Sequence, residues 1–397
     1  MSARGQPADR ADGSDTAGRN TSDLVSAAHA LRPTLAERAA EGERARRVPE
    51  DLAGRLAAEG FYRMLVPARH GGGEVHPWTF VEVLEALGRG DGAPAWTVMT
   101  GATTGLLAAY LPPATAGALF GRSETVPAGV FAPAGRARPV DGGFRLSGRW
   151  AWNSGVDNST VRLAGALVME GDAPRLLPTG QPELRSFFLE PEQSRVLDTW
   201  DTSGLRGTGS HDLVVEDVFV PSDRTTCVLV DPPLEPGPLY RFSLFGLLAL
   251  GVSAVGLGIA RAALDEIVRL ASEKRSGRKV LADVEATQLD VAQAEGELAA
   301  ARALMQVEVE AAWGSAELDD GRRARLRLAA THAAWASTRA VDAAYHLAGG
   351  ASVYSRSPLQ RAFRDIHTLT QHVMVNRMSL KPVGRILLGR PTDVSQL

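Results

Sequence analysis

Two histidines near the end of the chain are the first candidates for acid–base or metal chemistry. His367 and His372 lie in a run that Pro358 opens, together with Arg364 and Asp365. Proline suits the first helical turn, and the apolar spacing of the run predicts a helix. Two helical residues five positions apart are separated by roughly 140°, so this pair is poorly placed to bind one metal ion. His372 falls beside the apolar stripe, where its imidazole either reaches a cleft or is a simple surface residue.

Two other short segments carry hydroxyl, amide and glycine groups at predicted turns. Ser154 follows a strand-like run in the segment WAWNSG (150–155). A serine hydroxyl both donates and accepts hydrogen bonds, which suits ligand binding, but a serine here is equally a turn residue that ends a strand. Gly349 and Gly350 end a helical run, and glycine there permits a positive φ and the close approach of a ligand.

Composition limits the partners that the chain can have. The 397 residues are 44% hydrophobic and 22% charged, with a formal net charge of -3, which gives no electrostatic footprint for nucleic acid or an anionic membrane. Cys227 is the single cysteine, so there is no intrachain disulfide or cysteine metal cluster, and we expect no metal. No signal-type apolar segment opens the sequence, so we expect a cytoplasmic protein. No GxGxxG motif follows a predicted strand, so we expect no NAD(P)H site.

Periodicity divides the chain into three parts after a short tail. Residues 1–22 are small, polar and charged, and we expect them to be disordered. Residues 23–125 have helical patterns, whereas residues 126–231 contain short β-rich runs without intervening helices, which predict an antiparallel barrel or sandwich. Residues 239–390 contain long, alanine-rich helical runs that predict a four-helix bundle. The predicted class is therefore α+β, and the alanine-rich helices favour packing between subunits.

The order of these parts and several stretches resemble one family. The stretches are PARHGGGEV (67–75), GFRLSGRWAWNSG (143–155), GLRGTGSHDLVVEDVFVP (204–221) and the run from 343 to 389. They resemble the acyl-CoA dehydrogenase superfamily, in which a helical domain, a β-domain and a four-helix bundle follow one another. The segments RFSLFGLLALG (241–251) and RAFRDIHTLTQH (361–372) are similar to its two-component flavin monooxygenase branch, in which the oxygenase takes reduced flavin from a separate reductase.

The resemblance implies roles for individual residues. Acyl-CoA dehydrogenases carry a proton-abstracting glutamate shortly after an Arg–Asp pair, but residues 366–377 here contain no carboxylate and His372 lies close to that position. The monooxygenase branch places a histidine there, and it places a serine beside flavin N5, which matches Ser154. The other implied flavin contacts are Trp152, Asn153, Arg278, Gly349 and Gly350, with Thr208-Gly209-Ser210 as a further candidate at the flavin or substrate entrance. Arg278 would meet the phosphate of a flavin in a neighbouring subunit, unless it is a solvated loop charge like Arg275 and Lys279.

The N-terminal helical part departs from the phenol hydroxylases of this branch. Those enzymes use a second histidine several residues after the tryptophan of a DGSAAW-like segment, whereas Thr104 occupies about that place after Trp96. A simple phenol is therefore disfavoured as the substrate. The predicted substrate pocket is apolar with a few hydroxyls, unless its residues are ordinary core residues. They are Trp96, Thr103, Thr104, Leu107 and Tyr110.

These observations predict the oxygenase component of a flavin-dependent monooxygenase. The resemblance implies that reduced FAD or FMN from a separate NAD(P)H:flavin reductase reacts with O2, and that a C4a-hydroperoxyflavin oxygenates an aromatic, polycyclic or amine small molecule. Two alternatives stay open: an acyl-CoA dehydrogenase or oxidase with a displaced base, and a flavin-free binding protein on the same fold. We expect a homo-oligomer, specifically a tetramer, and no nucleic-acid or membrane partner.

Overall fold

The computed structural model describes residues 21–315 and 317–397. The helices in these ranges are α1 (Thr21–Ala45), α2 (Glu50–Ala58), α3 (Pro77–Gly88), α4 (Gly92–Gly105), α5 (Pro113–Phe120), α6 (Leu244–Glu273), α7 (Glu285–Trp313), α8 (Asp320–Ala348), α9 (Pro358–Leu369) and α10 (Leu380–Leu387). The strands are β1 (Pro127–Val140), β2 (Gly143–Asn153), β3 (Val161–Glu170), β4 (Ala173–Pro174), β5 (Leu184–Leu189), β6 (Arg195–Leu197), β7 (His211–Pro221), β8 (Thr225–Thr226), β9 (Arg275–Ser276) and β10 (Lys279–Val280). The predicted disordered tail covers residues 1–22. Residues 1–20 lie outside the described residues, whereas α1 already begins at Thr21.

The N-terminal helices are packed directly against the C-terminal bundle. The side chain of Asp91 caps α4 by accepting a hydrogen bond from the backbone N–H of Ala93 at 3.3 Å. Helix α3 crosses α6 so closely that a β-carbon on Gly258 would lie 2.4 Å from the carbonyl oxygen of Glu85. Glycine is therefore required at this crossing. The close packing fixes the position of α4, which carries Trp96.

The central sheet is mixed, which corrects the prediction of a purely antiparallel arrangement. The strand order is β6-β7-β2-β1-β3-β5-β8, with β4 attached to β3. Strands β1 and β3 are parallel, and the other pairs are antiparallel. The reason is topological: β2 returns antiparallel to β1, and the chain then crosses to the other side of β1, where β3 must run in the direction of β1. This crossing segment contains Ser154.

The C-terminal part is a helical bundle built around α6. This helix is apolar and long enough to cross a membrane by length and composition, but 89% of its most apolar window is buried inside the protein. It packs extensively against α8 and α3. Helix α6 is therefore the predicted core helix, and its apolar surface is explained by contacts within the fold.

Helix α9 begins where the sequence predicted but ends earlier. Pro358 is its first residue, and Leu369 is its last. From there the chain forms tighter turns, in which the N–H of His372 donates to the carbonyl of Leu369 at 3.0 Å. His372 therefore lies beyond the helix, which corrects its predicted place on a helical stripe.

Candidate active site

The segment around Ser154 is a strained turn at the end of β2. Trp152 has a φ of 64° and Gly155 a φ of 76°. A positive φ is costly for tryptophan, and such conformations persist where the surrounding structure holds them. Here the backbone N–H of Gly155 donates to the carbonyl of Thr208 at 2.8 Å, which ties the turn to the loop before β7. The turn thereby presents Ser154 at a fixed place in the interior.

A row of hydrogen bonds connects Ser154 to two separate elements. The indole Nε1 of Trp96 donates to Ser154 Oγ at 3.0 Å. Ser154 Oγ lies 2.7 Å from Ser210 Oγ, which lies 2.7 Å from Thr208 Oγ1. Thr208 Oγ1 donates to the carbonyl oxygen of Leu205 at 2.8 Å. We call these five groups the hydroxyl relay.

Antiparallel pairing of two strands explains why the relay forms. Ser154 follows the last residue of β2, and Ser210 precedes the first residue of β7. The register places Asn153 opposite His211, so the end of one strand meets the start of the other. Two serines far apart in sequence therefore come within hydrogen-bond distance.

Asn153 has the unpaired polar atoms expected of a ligand-binding group. Its side chain is completely buried, and within the described part of the chain neither its amide oxygen nor its amide nitrogen has a hydrogen-bond partner. A buried polar group without a partner is costly, and a bound ligand removes that cost. The neighbouring Trp152 is 73% exposed, so its ring is free to pack on a ligand. These residues fit the polar edge and the ring face of a flavin.

His372 packs against the same tryptophan that holds Ser154. The rings of His372 and Trp96 meet edge to face, with centroids 5.4 Å apart and planes at 76°. The N–H of Met374 donates to His372 Nδ1 at 3.3 Å, so a neutral ring carries its hydrogen on Nε2. Burial, together with the nearby charge of Arg327, lowers the pKa of His372 to about 4. The imidazole is therefore neutral at pH 7 and acts as an Nε2–H donor.

The second histidine belongs to a different contact. His367 Nε2 lies 2.9 Å from a carboxylate oxygen of Asp342 on α8. Within residues 21–315 and 317–397 there is no group of three or more side chains arranged to hold a metal ion. The two histidines are thus separated in role: His367 joins two bundle helices, and His372 faces Trp96.

A buried carboxylate, Asp365, and a partly buried one, Asp91, anchor the elements that hold Ser154. The backbone N–H of Leu205 donates to Asp365 at 2.6 Å, and Asp91 caps the helix that carries Trp96. Both aspartates line a small cavity of about 10 Å³ with Arg361. Burial raises the pKa of both, and the charge of Asp91 further raises that of Asp365, although Arg361 opposes this. The two anchors are therefore coupled through their ionisation.

The raised pKa values predict a fall in stability with increasing pH. Between the ordinary aspartate pKa of about 4 and the raised values, the folded protein holds protons that the unfolded chain has released. The free energy of unfolding must therefore decrease as pH rises through this window. Between about pH 5 and pH 8 the free energy of unfolding should fall in both the wild type and Asp365→Asn. We expect the fall to be about 1–3 kcal/mol smaller in Asp365→Asn.

Thermal unfolding midpoints at both pH values measure this effect. Thr226→Val is the control because it alters a buried polar side chain without removing an ionisable group. It should show the wild-type pH dependence. An Asp365→Asn profile parallel to that of the wild type would contradict the proposed ionisation of the pair.

Three of the predicted flavin-binding residues lie together at another part of the surface. Gly349 and Gly350 are exposed, as is Arg278 in the β9–β10 hairpin. Lys274, just before that hairpin, donates from Nζ to the carbonyl of Ala348. The hairpin and the glycine turn are therefore neighbours. No contact is observed between them and Ser154 or His372 within the described residues of one chain, so their flavin role stays a prediction.

Most of the predicted substrate pocket is buried helix. Thr103 and Leu107 are completely buried, and the Thr103 hydroxyl donates to the carbonyl of Met99 at 2.9 Å. The Thr104 hydroxyl donates in the same way to Thr100. Tyr110 is partly exposed. Of the five residues, Trp96 contacts His372, and a substrate role for all five stays a prediction.

Sequence reasoning underestimated the residues that support the site. Ser210 and Thr208 complete the relay, whereas the resemblance implied only a place at the flavin or substrate entrance for Thr208-Gly209-Ser210. Asp365 was visible only as part of an Arg–Asp pair, and no role was predicted for Asp91. The cavity that the two aspartates share requires the docking of α4 and α9.

Comparison with known proteins defines the class to which this fold and site belong. The family model described as acyl-CoA dehydrogenase, N-terminal domain, matches residues 25–117. The model described as acyl-CoA dehydrogenase, C-terminal domain, matches residues 250–377. The chain belongs to the acyl-CoA dehydrogenase family, and the predicted fold class is confirmed.

Individual relatives that match most of the chain narrow the class to oxygenases. Indole-3-acetate monooxygenase of Pseudomonas putida is 38% identical over 360 residues, covering 89% of this chain and 90% of that protein. The flavin-dependent monooxygenase oxygenase subunit HsaA of Rhodococcus jostii (strain RHA1) is 29% identical, covering 86% and 92%. The structure of XiaF from Streptomyces sp. with FADH2 and glycerol has a TM-score of 0.82 at 27% identity, covering 94% and 96%. Within its family the chain is therefore the oxygenase component of a flavin-dependent monooxygenase, as predicted.

Proposed function

We propose that the protein hydroxylates an aromatic small molecule with reduced flavin bound beside Ser154 and His372. The observation that carries this proposal is the position of Trp96. Its indole Nε1 donates to Ser154, and its ring packs against His372, so one side chain joins the two residues implied in oxygen chemistry. When bound, reduced flavin would supply the electrons that activate O2, and O2 would provide the transferred oxygen atom.

The residues of the chain then have separate tasks. Ser154 accepts a hydrogen bond from flavin N5–H, and the amide of Asn153 binds the polar edge of the ring. His372 directs its Nε2–H toward the reacting oxygen and holds it near the substrate. The buried positions of Ser154 and Asn153 exclude water, which strengthens these contacts.

We propose a carboxylated bicyclic aromatic as the substrate. The Pseudomonas putida relative is named for indole-3-acetate. Arg327 is 4% exposed and near His372, and within the described residues no acidic side chain pairs with it. Its NH2 group donates to the backbone carbonyl of Gln396 at 2.6 Å. A buried cation without an acidic partner favours an anionic substrate group nearby.

The partner and the assembly are part of the same proposal. The named relatives include oxygenase subunits, and we infer an NAD(P)H:flavin reductase as the separate component for this chain. A homotetramer would bring Arg278, Gly349 and Gly350 to the phosphate of a flavin in a neighbouring subunit. Either FAD or FMN can satisfy this arrangement. A cytoplasmic location fits the buried free thiol of Cys227 and the use of reduced flavin.

The decisive experiment supplies the protein with chemically reduced FMN or FADH2 under anaerobic conditions and then adds O2. With indole-3-acetate present, we expect a hydroxylated product, less H2O2 and delayed appearance of oxidised flavin. Indole, which lacks the carboxylate, should give lower yield. Reoxidation at the rate of free flavin with no product from any aromatic tested would reject the proposal, as would bleaching of bound oxidised FAD by an acyl-CoA.

A further inference from the structure

The hydroxyl relay has ends of opposite chemical character. At one end the indole Nε1–H of Trp96 is a donor only. At the other end the carbonyl oxygen of Leu205 is an acceptor only. Between them stand the hydroxyls of Ser154, Ser210 and Thr208, each with one hydrogen and two lone pairs.

The two ends determine the direction of every hydrogen bond in the row. Thr208 must donate to Leu205, because otherwise two oxygen lone pairs would face each other at 2.8 Å. Ser210 then donates to Thr208, and Ser154 donates to Ser210. The row contains four contacts and four hydrogens, one from the indole and three from hydroxyls. All four hydrogens are therefore used.

Ser154 consequently has no hydrogen to give to a ligand. Its hydrogen points to Ser210, one lone pair accepts from Trp96, and one lone pair remains. The three hydroxyl residues are 1–6% exposed, so water does not offer them other partners. Ser154 is thus held as an acceptor at the position where flavin N5 is proposed to bind.

The acceptor end of the relay is itself fixed. The carbonyl of Leu205 also accepts from the indole Nε1 of Trp200 at 3.0 Å, and the N–H of the same residue donates to buried Asp365. Leu205 has a φ of 49°, a conformation that non-glycine residues adopt only when held. Reversal of the hydrogen-bond direction would therefore require displacement of an anchored peptide.

We propose that Thr208 and Ser210 make the site selective for the redox state of the flavin. This inference rests on the proposed function, because it takes N5 as the neighbour of Ser154. In reduced flavin N5 carries a hydrogen that the free lone pair of Ser154 accepts. In oxidised flavin N5 presents a lone pair, which opposes that of Ser154. The relay thus retains reduced flavin and releases oxidised flavin, and Thr208 and Ser210 are specificity-determining residues that act through Ser154.

The test compares the dissociation constants of oxidised and reduced FMN, and of FAD and FADH2, by anaerobic equilibrium dialysis. Thr208→Val removes the hydroxyl at nearly constant shape, so that Ser210 can turn its hydrogen toward Ser154 and Ser154 can donate to oxidised N5. We expect the ratio of the dissociation constant of oxidised flavin to that of reduced flavin to fall about tenfold. This change is equivalent to one net hydrogen bond. Thr208→Ser keeps the relay and should keep the wild-type preference. In the Ser154→Ala background, Thr208→Val should have no further effect.

A second measurement changes the flavin at N5. Oxidised 5-deazaFMN carries C–H in place of the N5 lone pair, so the wild type should bind it about tenfold more tightly than oxidised FMN, and Thr208→Val should abolish that difference. The proposal would be overturned if wild type and Thr208→Val had the same preference for reduced over oxidised flavin. It would also be overturned if Thr208→Val and Thr208→Ser lost this preference to the same extent. These outcomes in a protein that still hydroxylates its substrate reject only the relay. Failure of the wild type to bind either flavin form rejects the proposed function itself.

Discussion

His372→Ala should lower the yield of hydroxylated product per reduced flavin by at least about 100-fold, the usual contribution of a positioned proton donor. The Nε2–H of this neutral ring is the group that we propose to hold the reacting oxygen near the substrate, and alanine cannot replace it. Reduced flavin should then be consumed with H2O2 as the product. Simultaneous measurement of product by chromatography and of H2O2 tests this result, and the flavin dissociation constant should change only a few-fold.

The chain offers a matched control for this variant. His367 lies in the adjacent helix and pairs with Asp342, away from Trp96. His367→Ala should therefore retain most of the coupled yield, even if the bundle loses some stability. Because the pKa of His372 is lowered to about 4, the imidazole stays neutral on acidification to about pH 5.5, and its protonation should cause no loss of yield above that pH. Normal coupling in His372→Ala would refute its proposed role.

In Ser154→Ala we expect the delay before oxidised flavin appears to become about tenfold shorter. The product yield should fall in proportion. The substitution removes the oxygen proposed to accept from N5–H. It also leaves the indole N–H of Trp96 and an acceptor lone pair of Ser210 without their buried partner. Stopped-flow absorbance after oxygen addition measures the delay before oxidised flavin appears. These unpaired buried groups should also lower stability by about 1–3 kcal/mol.

A separate variant distinguishes the loss of this contact from a general effect on the sheet. Thr226 lies in β8, and its buried hydroxyl has no hydrogen-bond partner among the described residues. Thr226→Val keeps the shape of the side chain and should leave both the reoxidation delay and the product yield unchanged. An unchanged delay in Ser154→Ala would argue against contact between Ser154 and N5.

The sequence by itself predicted the fold class, the family and the oxygenase chemistry, because these depend on local patterns. Helical periodicity defined the bundle, and Pro358 marked the start of α9. The absence of a carboxylate from residues 366–377 separated the chain from the dehydrogenases, since desaturation needs a base at that place. The family resemblance, together with residue type, pointed to His372 and Ser154.

Only the tertiary structure decided how these residues act. The register of β2 with β7 brings Ser154 to Ser210, and the docking of α4 adds Trp96. The turn after α9 fixes the hydrogen of His372 on Nε2 through Met374. Periodicity reports which face of an element is apolar, but it does not report which side chains of distant elements meet. The direction of a buried hydrogen bond depends on those meetings, because each hydroxyl has a single hydrogen and its neighbours determine where that hydrogen points.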